Sequence, residues 1–455
     1  MFRMIAAGLV LWSITVASPA AADDALGRLV AYISVDTTNP PGNEARGVAF
    51  FASIFERAGI AFESAESAPG RGNIWARLEG GDEPALILLH HMDVVPATAS
   101  AWDSDPLKAV EKDGYLYGRG TLDTKALGIM HLESFLALHR SGKRLERDVI
   151  FMATADEEAG GTYGAGWLVE QRPELFENVG FLLNEGASCR DGKQLGCGVE
   201  VAQKVPVWLR LIARDTPGHG SLPRTTSSPG RLVAALERLQ RTPFEPRILP
   251  PVRTMFASLA GAAEPEWQQP LREIDTAIGK PGFLERFQAA KPHLHALIRN
   301  TCSLTVLSGS SKINVVPPEA SAELDCRVLP DQDVDAFVEA VRERLADDAI
   351  QIERILAFSA ATSPIDTELF RVMQSVTQEH YPGAVVTPTV AAGFTDSHFF
   401  RDLGIVSYGY APVVVPTADL SGLHGNNERI GLETFHKGVQ TLTEIVERFA
   451  TRAGP

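Results

Sequence analysis

Residues 85–96 read Ala85-Leu86-Ile87-Leu88-Leu89-His90-His91-Met92-Asp93-Val94-Val95-Pro96, an unbroken apolar run that stops at two imidazoles and a carboxylate. A strand with one wet face would alternate, so five consecutive apolar residues predict a strand covered on both sides. Comparable runs stand at 149–153 and 179–183, with helical stretches between them. The loop Asn39-Pro40-Pro41-Gly42-Asn43 introduces an amphipathic helix through Arg57. From residue 23 to 204 the pattern therefore predicts an α/β unit, a mixed, mostly parallel sheet flanked by helices.

Beyond it the pattern changes. Strand 205–214, helix 228–241, strand 302–308, strand 320–329, helix 332–346 and strand 349–357 form the split β-α-β order of a ferredoxin-like fold. Residues 242–300, rich in Pro, Glu and helix formers, read as a helical insertion within this unit. Residues 358–455 return to the first pattern and complete the first domain. The expectation is a catalytic domain in two pieces, 23–204 and 358–455, with an α+β lid domain inserted at 205–357.

A length of 455 residues suits two or three compact units. The first 22 residues are set apart: Arg3, an apolar run from Met4 to Val16, and Ala20-Ala21-Ala22 before Asp23. That is the order of a cleavable signal peptide, and the run is shorter than the ~20 residues that span a bilayer. An exported, periplasmic or secreted, protein is expected, with no membrane attachment after cleavage. The formal charge is −15, or −16 once Arg3 leaves with the signal, which gives no attraction to nucleic acid or anionic lipid. Four cysteines permit three connectivities. Cys189 and Cys197 flank a turn at Asp191-Gly192-Lys193, while Cys302 and Cys326 lie symmetrically about Asn314, as opposed hairpin positions do. The expected disulfides are Cys189–Cys197 and Cys302–Cys326. A zinc–thiolate site is the alternative, without a Cys-x-x-Cys to support it.

The chemistry-bearing residues gather where the predicted strands stop. His91 and Asp93 follow 85–89, and Asp123 sits in Gly118-Arg119-Gly120-Thr121-Leu122-Asp123 before a helix. Glu157 and Glu158 follow 149–153, Glu185 follows 179–183, and His424 lies in a Gly-rich loop near the C-terminus. Open α/β sheets place their sites at the carboxyl ends of strands. Two imidazoles and three carboxylates suit Zn²⁺, or Co²⁺ or Mn²⁺, and one carboxylate shared between two ions makes a compact two-metal site.

An ordered set of motifs resembles the dizinc metallopeptidases that include aminoacylase, succinyl-diaminopimelate desuccinylase and glutamate carboxypeptidase. It comprises Asp36 through Pro41, His91 through Pro96, Gly118 through Lys125, Asp156-Glu157-Glu158, Asn184-Glu185-Gly186, Gly218 through Ser221 and His424 through Glu428. The resemblance implies one metal on His91, Asp123 and Glu185, and a second on Asp123, Glu158 and His424. It makes Asp93 the carboxylate that orients His91, and Glu157 the general base that takes a proton from the water and gives it to the leaving amine. His219 is implied as the lid histidine that stabilises the oxyanion, supplied across subunits in dimeric members. Asn314, Arg327 and Thr395 are implied to hold the substrate, the guanidinium of Arg327 gripping a carboxylate. Asp325 is a competing partner for Arg327. The substrate-side loop departs from the family pattern, since Phe394 precedes Thr395 and His398 stands where some members have Arg. His90 reads as a neighbour of the ligand His91 and not as a ligand.

The reading is a metal-dependent hydrolase that cuts an amide bond beside a free carboxylate: a carboxypeptidase, dipeptidase or N-acyl-amino-acid amidohydrolase. The long insertion and the signal are similar to the secreted carboxypeptidase-like and N-fatty-acyl-amino-acid hydrolase branch. Its partners are a small peptide or N-acyl amino acid, and its assembly a monomer or a homodimer through the lid. The alternative is a catalytically retired periplasmic binding protein on the same fold, against which the retained Glu157 argues. A two-metal phosphoesterase would need more cationic residues about its anion.

Overall fold

The computed structural model describes residues 24–192, 194–261 and 263–451; the signal expected at 1–22 lies outside the described residues. The run at 85–89 becomes strand Glu83–His91, an inner strand of an eight-stranded sheet. Across that sheet the order is Phe62–Ala68, Arg71–Leu78, Arg147–Thr154, Glu83–His91, Val179–Arg190, Val406–Val414, Gly196–Gln203 and Val385–Ala391. Glu83–His91 is parallel to both neighbours, and the pairs of Val406–Val414 with Val179–Arg190 and of Val385–Ala391 with Gly196–Gln203 are parallel too. Antiparallel pairing enters at the 62–78 hairpin and where Cys189 meets Cys197.

Side-chain parity explains why this sheet is apolar throughout. Leu86 and Leu88 enter one core with Phe135 and Leu442, carried by helices Lys125–Ser141 and Leu432–Ala450. Ile87 and Leu89 enter a second core with Leu168 and Phe400, carried by Ala165–Gln171 and Ser397–Asp402. Each fully covered side chain of this kind contributes about 1.5–3 kcal/mol. The period of two also separates the adjacent histidines. His90 falls on the first face, its ring 5.3 Å from that of Phe51 and its Nε2 3.3 Å from the Tyr32 hydroxyl. His91 falls on the other parity, and its Nε2 faces Asp123, Glu157 and Glu185.

The second sheet is wholly antiparallel, in the order Thr301–Ser308, Glu319–Val328, Val205–Arg214, Ile350–Ala357. That order is ferredoxin-like, and this is the inserted lid domain. Strand Glu319–Val328 alternates strictly, sending Ala320, Ala322, Leu324 and Cys326 into a separate core. Helices Ser228–Arg241 and Val334–Leu345 close that core with Leu232, Leu236 and Val341. The disulfides join Cys189 to Cys197 and Cys302 to Cys326, each pair opposed in its ladder.

The segment 242–300 is helical; its start joins the lid through Phe244, but its helices cover the larger sheet. Val252 and Phe256 on helix Pro250–Leu259, with Phe283 and Phe287 on Phe283–Ala290, belong to the core of the larger sheet. Strand Val385–Ala391 is its neighbour there, with Thr387 Oγ1 donating to Ser258 Oγ at 3.0 Å. The apolar spacing that predicts helices says nothing about which sheet they cover. No helix among the described residues is long and apolar enough to cross a membrane.

Candidate metal centre

The carboxyl ends of two inner strands lead to His91 and to Glu157 and Glu158, while Asp123 and His424 stand on loops beside them. His91 ends its strand, and Asp93 two residues on receives the main-chain N–H of Glu157 and of Glu158, each at 3.2 Å. Asp93 also faces the ring of His91: the Nδ1 stands 2.9 Å from the Asp93 carbonyl and 3.4 Å from its carboxylate. One buried carboxylate therefore orients the imidazole and fixes the turn that carries the glutamate pair. Asn39 donates to Asp93 at 2.8 Å and to Asp156 at 3.3 Å, and Arg71 pairs with Asp156 behind them.

Glu185 arrives differently. Sequence reading places it just past a strand that stops near 183, whereas the strand runs on to Arg190. The ladder with Val406–Val414 jumps from Asn184 opposite Gly409 to Ala187 opposite Tyr410, so Glu185 and Gly186 form a bulge. A bulge re-aims a side chain that regular pairing would hold in the sheet. Gly186 is required there because a Cβ on it would lie 2.7 Å from the Gly409 Cα.

Asp123 stands at the middle of the cluster. Its Oδ1 is 3.0 Å from His91 Nε2 and its Oδ2 is 3.0 Å from His424 Nε2. His91 Nε2 also lies 3.6 Å from Glu185 and 4.0 Å from Glu157, while His424 Nε2 lies 3.2 Å from Glu158. His91, Glu157 and Glu185 form one group able to hold an ion, and His91, Asp123 and Glu158 form another. The structure thus brings together His91, Asp93, Asp123, Glu157, Glu158, Glu185 and His424.

Electrostatics tests whether these residues fit divalent ions. Asp93, Asp123, Glu157, Glu158, Glu185 and Asp396 lie together around the buried ring of His91, with the exposed ring of His424 meeting Asp123 and Glu158 at the edge. Burial, reinforced by neighbouring carboxylates, pushes Glu157 well up, Glu185 to about 7 and Asp396 to about 8. Burial opposes charge on His91, but Glu185, Asp123 and Asp93 outweigh it and hold the ring's pKa well above the ordinary value. Hydrogen bonds to Asp123 and Glu158 push His424 to about 10. Six carboxylates outnumber two imidazoles, and the donors are the oxygens and imidazole nitrogens that zinc and similar ions take.

The lid residues lie apart from this cluster. Among the described residues, no hydrogen bond or ion pair joins His219, Asn314 or Arg327 to it. His219 is exposed on a short strand pairing with Val315, and its Nδ1 accepts from the main-chain N–H of Ser221 at 3.2 Å. Asn314 is exposed beside it, its carbonyl accepting from Gly220 N–H. Arg327 forks onto Asp325, at 2.8 and 3.3 Å, with its third nitrogen buried and without a partner. Its guanidinium also lies over the ring of Phe394, at 5.6 Å. Thr395 is buried against Gln203, and His398 is sandwiched between Phe358 and Phe399 at 3.7 and 3.8 Å, a packing residue.

Sequence reading gave no role to Glu428, Asp396, Asp156, Asn39 or Arg71. Glu428 and Asp156 sit inside quoted motifs, and Asp396 directly follows Thr395, so an adjacent acid was the available signal. Arg71 carries no signal, since only folding sets its strand beside Asp156.

Residues 87–448 match peptidase family M20/M25/M40. The N-fatty-acyl-amino acid synthase/hydrolase PM20D1 of Xenopus tropicalis is 32% identical over 388 residues, covering 82% of this chain and 75% of the relative. Aminoacylase-1B of Rattus norvegicus is 29% identical over 432 residues, covering 92% and 94%. Among solved structures, the M20 family metallo-carboxypeptidase Sso-CP2 from Sulfolobus solfataricus has a TM-score of 0.69 at 18% identity, covering 93% of this chain and 98% of its own. Human carnosine dipeptidase 1 has a TM-score of 0.62 at 16% identity, covering 94% and 97%.

Proposed function

This chain belongs to peptidase family M20/M25/M40 and is a metal-dependent amide hydrolase, and we propose that it cuts an amide bond adjacent to a free carboxylate, with N-acyl amino acids as its substrate class. The observation that carries the proposal is Asp123, whose two oxygens each meet a different imidazole at 3.0 Å. A carboxylate so divided is placed to be shared between one ion on His91, Asp123 and Glu185 and another on Asp123, Glu158 and His424. Zinc is the preferred metal, with Co²⁺ or Mn²⁺ able to replace it. Such ions, when bound, supply Lewis-acid charge and make water acidic near neutral pH.

The residues of the chain do the rest. Glu157 accepts the proton of the attacking water and returns it to the leaving amine, from a place 4.0 Å from His91 Nε2. Asp93 keeps the Glu157–Glu158 turn and the His91 ring in register. His219 stabilises the oxyanion. Its Nδ1 accepts from a main-chain N–H, so in the neutral ring Nε2 carries the proton and is free to donate. Arg327, with its unpartnered nitrogen, binds the substrate carboxylate in company with Asn314 and Thr395.

The relatives named for aminoacylase and N-fatty-acyl-amino acid hydrolysis favour an acylated amino acid over a longer peptide. We assign residues 23–204 and 358–455 to the catalytic domain and 205–357 to the lid, with the helices of 250–296 acting as part of the catalytic core. Residues 1–22 serve export to the periplasm or beyond. The lid's edge strand Thr301–Ser308, with Leu304, Val306 and Leu307 exposed, is the surface for a homodimer that exchanges His219.

The test is hydrolysis by the mature protein after chelation and Zn²⁺ or Co²⁺ restoration, on N-acyl amino acids, dipeptides and their carboxyl-amidated analogues. Metal-restored cleavage of the free acids, with the amidated analogues left intact, is the expected result. Equal cleavage of both would overturn the carboxylate requirement.

A further inference from the structure

Glu428 lies four residues beyond His424 and is fully buried. Its Oε1 accepts from the main-chain N–H of Leu122 at 2.6 Å and of Asp123 at 3.1 Å. Its Oε2 accepts from Gly120 N–H at 3.0 Å and from Arg119 Nη1 at 2.6 Å. Arg119 in turn donates through Nη2 to the Gly425 carbonyl at 2.8 Å, and Gly118 N–H donates to the Glu428 carbonyl at 3.0 Å. The two loops are laced together on both sides of this carboxylate, and pairing of Arg429–Gly431 with Tyr115–Tyr117 closes the far end.

These are the loops that present Asp123 and His424. Neither has the support the other ligands enjoy. His91 rides on a central strand and leans on Asp93, and Glu185 is set by a bulge locked against Gly409. The His424 side chain is 53% exposed, in a loop tied to the body of the fold through Arg119, Gly118 and Glu428 and through Asp103 N–H donating to Asn427 Oδ1.

We propose that Glu428 is a positioning residue that sets the spacing between Asp123 and His424, and so governs the subsite that uses both of them more strongly than the one that shares only Asp123. The proposal rests on the ligand assignment given above. Without its carboxylate, three buried N–H groups and the Arg119 guanidinium lose their acceptor, and the loops are free to part. The strands carrying His91 and Glu185 are untouched.

The experiment is a Co²⁺ titration of the metal-free chain, followed by visible absorption, for wild type and Glu428→Gln. His424→Ala and His91→Ala identify which binding step belongs to which subsite. Glu428→Gln keeps the side chain's shape but turns an amide NH₂ toward groups that are themselves donors. It is expected to weaken the step that His424→Ala abolishes by roughly 10–100-fold, and the step that His91→Ala abolishes by clearly less, since that subsite shares only Asp123 with the loosened loops. Equal weakening of both steps, or no weakening, overturns the proposal. If Glu428→Gln does not fold, Arg119→Lys, which retains the charge but breaks the fork to Gly425, decides by the same readout. A wild-type chain that binds fewer than two ions overturns the two-metal assignment itself, which separates that failure from this one.

Discussion

The metal cradle and the lid are built on opposite plans. In the cradle every proposed ligand is already within reach of another, held by strand ends, a bulge and buried carboxylates. In the lid, His219 and Asn314 stand exposed, and Arg327 is occupied by Asp325. One region is finished before a ligand arrives, while the other presents groups that no hydrogen bond or ion pair among the described residues joins to the first. On the proposed assignment the difference makes metal binding and substrate binding separable: the cradle concentrates carboxylates for cations, and the lid residues proposed to meet the acyl substrate stand apart from it.

Substitutions sharpen that division, beginning with the largest effect. Glu157→Ala is expected to lower kcat by about 10²–10⁴-fold while both ions remain bound, as metal analysis of the purified variant would check. His219→Ala, in the lid, is expected to cost about 10²–10³-fold in kcat with metal content again unchanged. If that variant lost its metal, the two regions would not be independent. Arg327→Met is expected to raise KM by roughly tenfold or more, the loss of a charge-assisted contact being worth about 1.5–3 kcal/mol.

A further effect concerns stability at the junction between the regions. Lys204 is buried, and its ammonium donates to the carbonyls of Ala296 and Arg299 and to Thr301 Oγ1. Burial, with Arg327 adding to it, brings its pKa from 10.5 down to about 7. Between those values the unfolded chain carries a proton that the folded chain lacks, so stability rises as pH rises through the window and the slope vanishes below it. The contribution reaches about 1.4 kcal/mol per pH unit. Chemical denaturation from pH 7 to 10 should show that slope in the wild type and a flatter profile in Lys204→Met.

Much of this was legible in the chain. The unbroken apolar runs announced a sheet covered on both faces, and the lid's elements fall within a residue or two of their expected bounds, with Val205–Arg214 and Ser228–Arg241 on them. Most of the ligand set was legible because His91, Asp123, Glu157, Glu158 and Glu185 follow an apolar run or precede a helix, while His424 was marked only by its Gly-rich motif. What escaped depends on distant pairing. The bulge at Glu185 exists only against Val406–Val414, and the clamp of Glu428 on Gly120, Leu122 and Asp123 joins residues some three hundred positions apart. The helices of 250–296 were visible as helices, but their choice of sheet follows from how Val252 and Phe256 meet the larger core.

The most direct test of the division is metal stoichiometry in a chain whose lid has been disarmed. The doubly substituted His219→Ala, Arg327→Met protein should bind two ions per chain with wild-type affinity and turn over no N-acyl amino acid. Loss of either ion from that protein would contradict the account, because the cradle would then depend on the lid for its assembly.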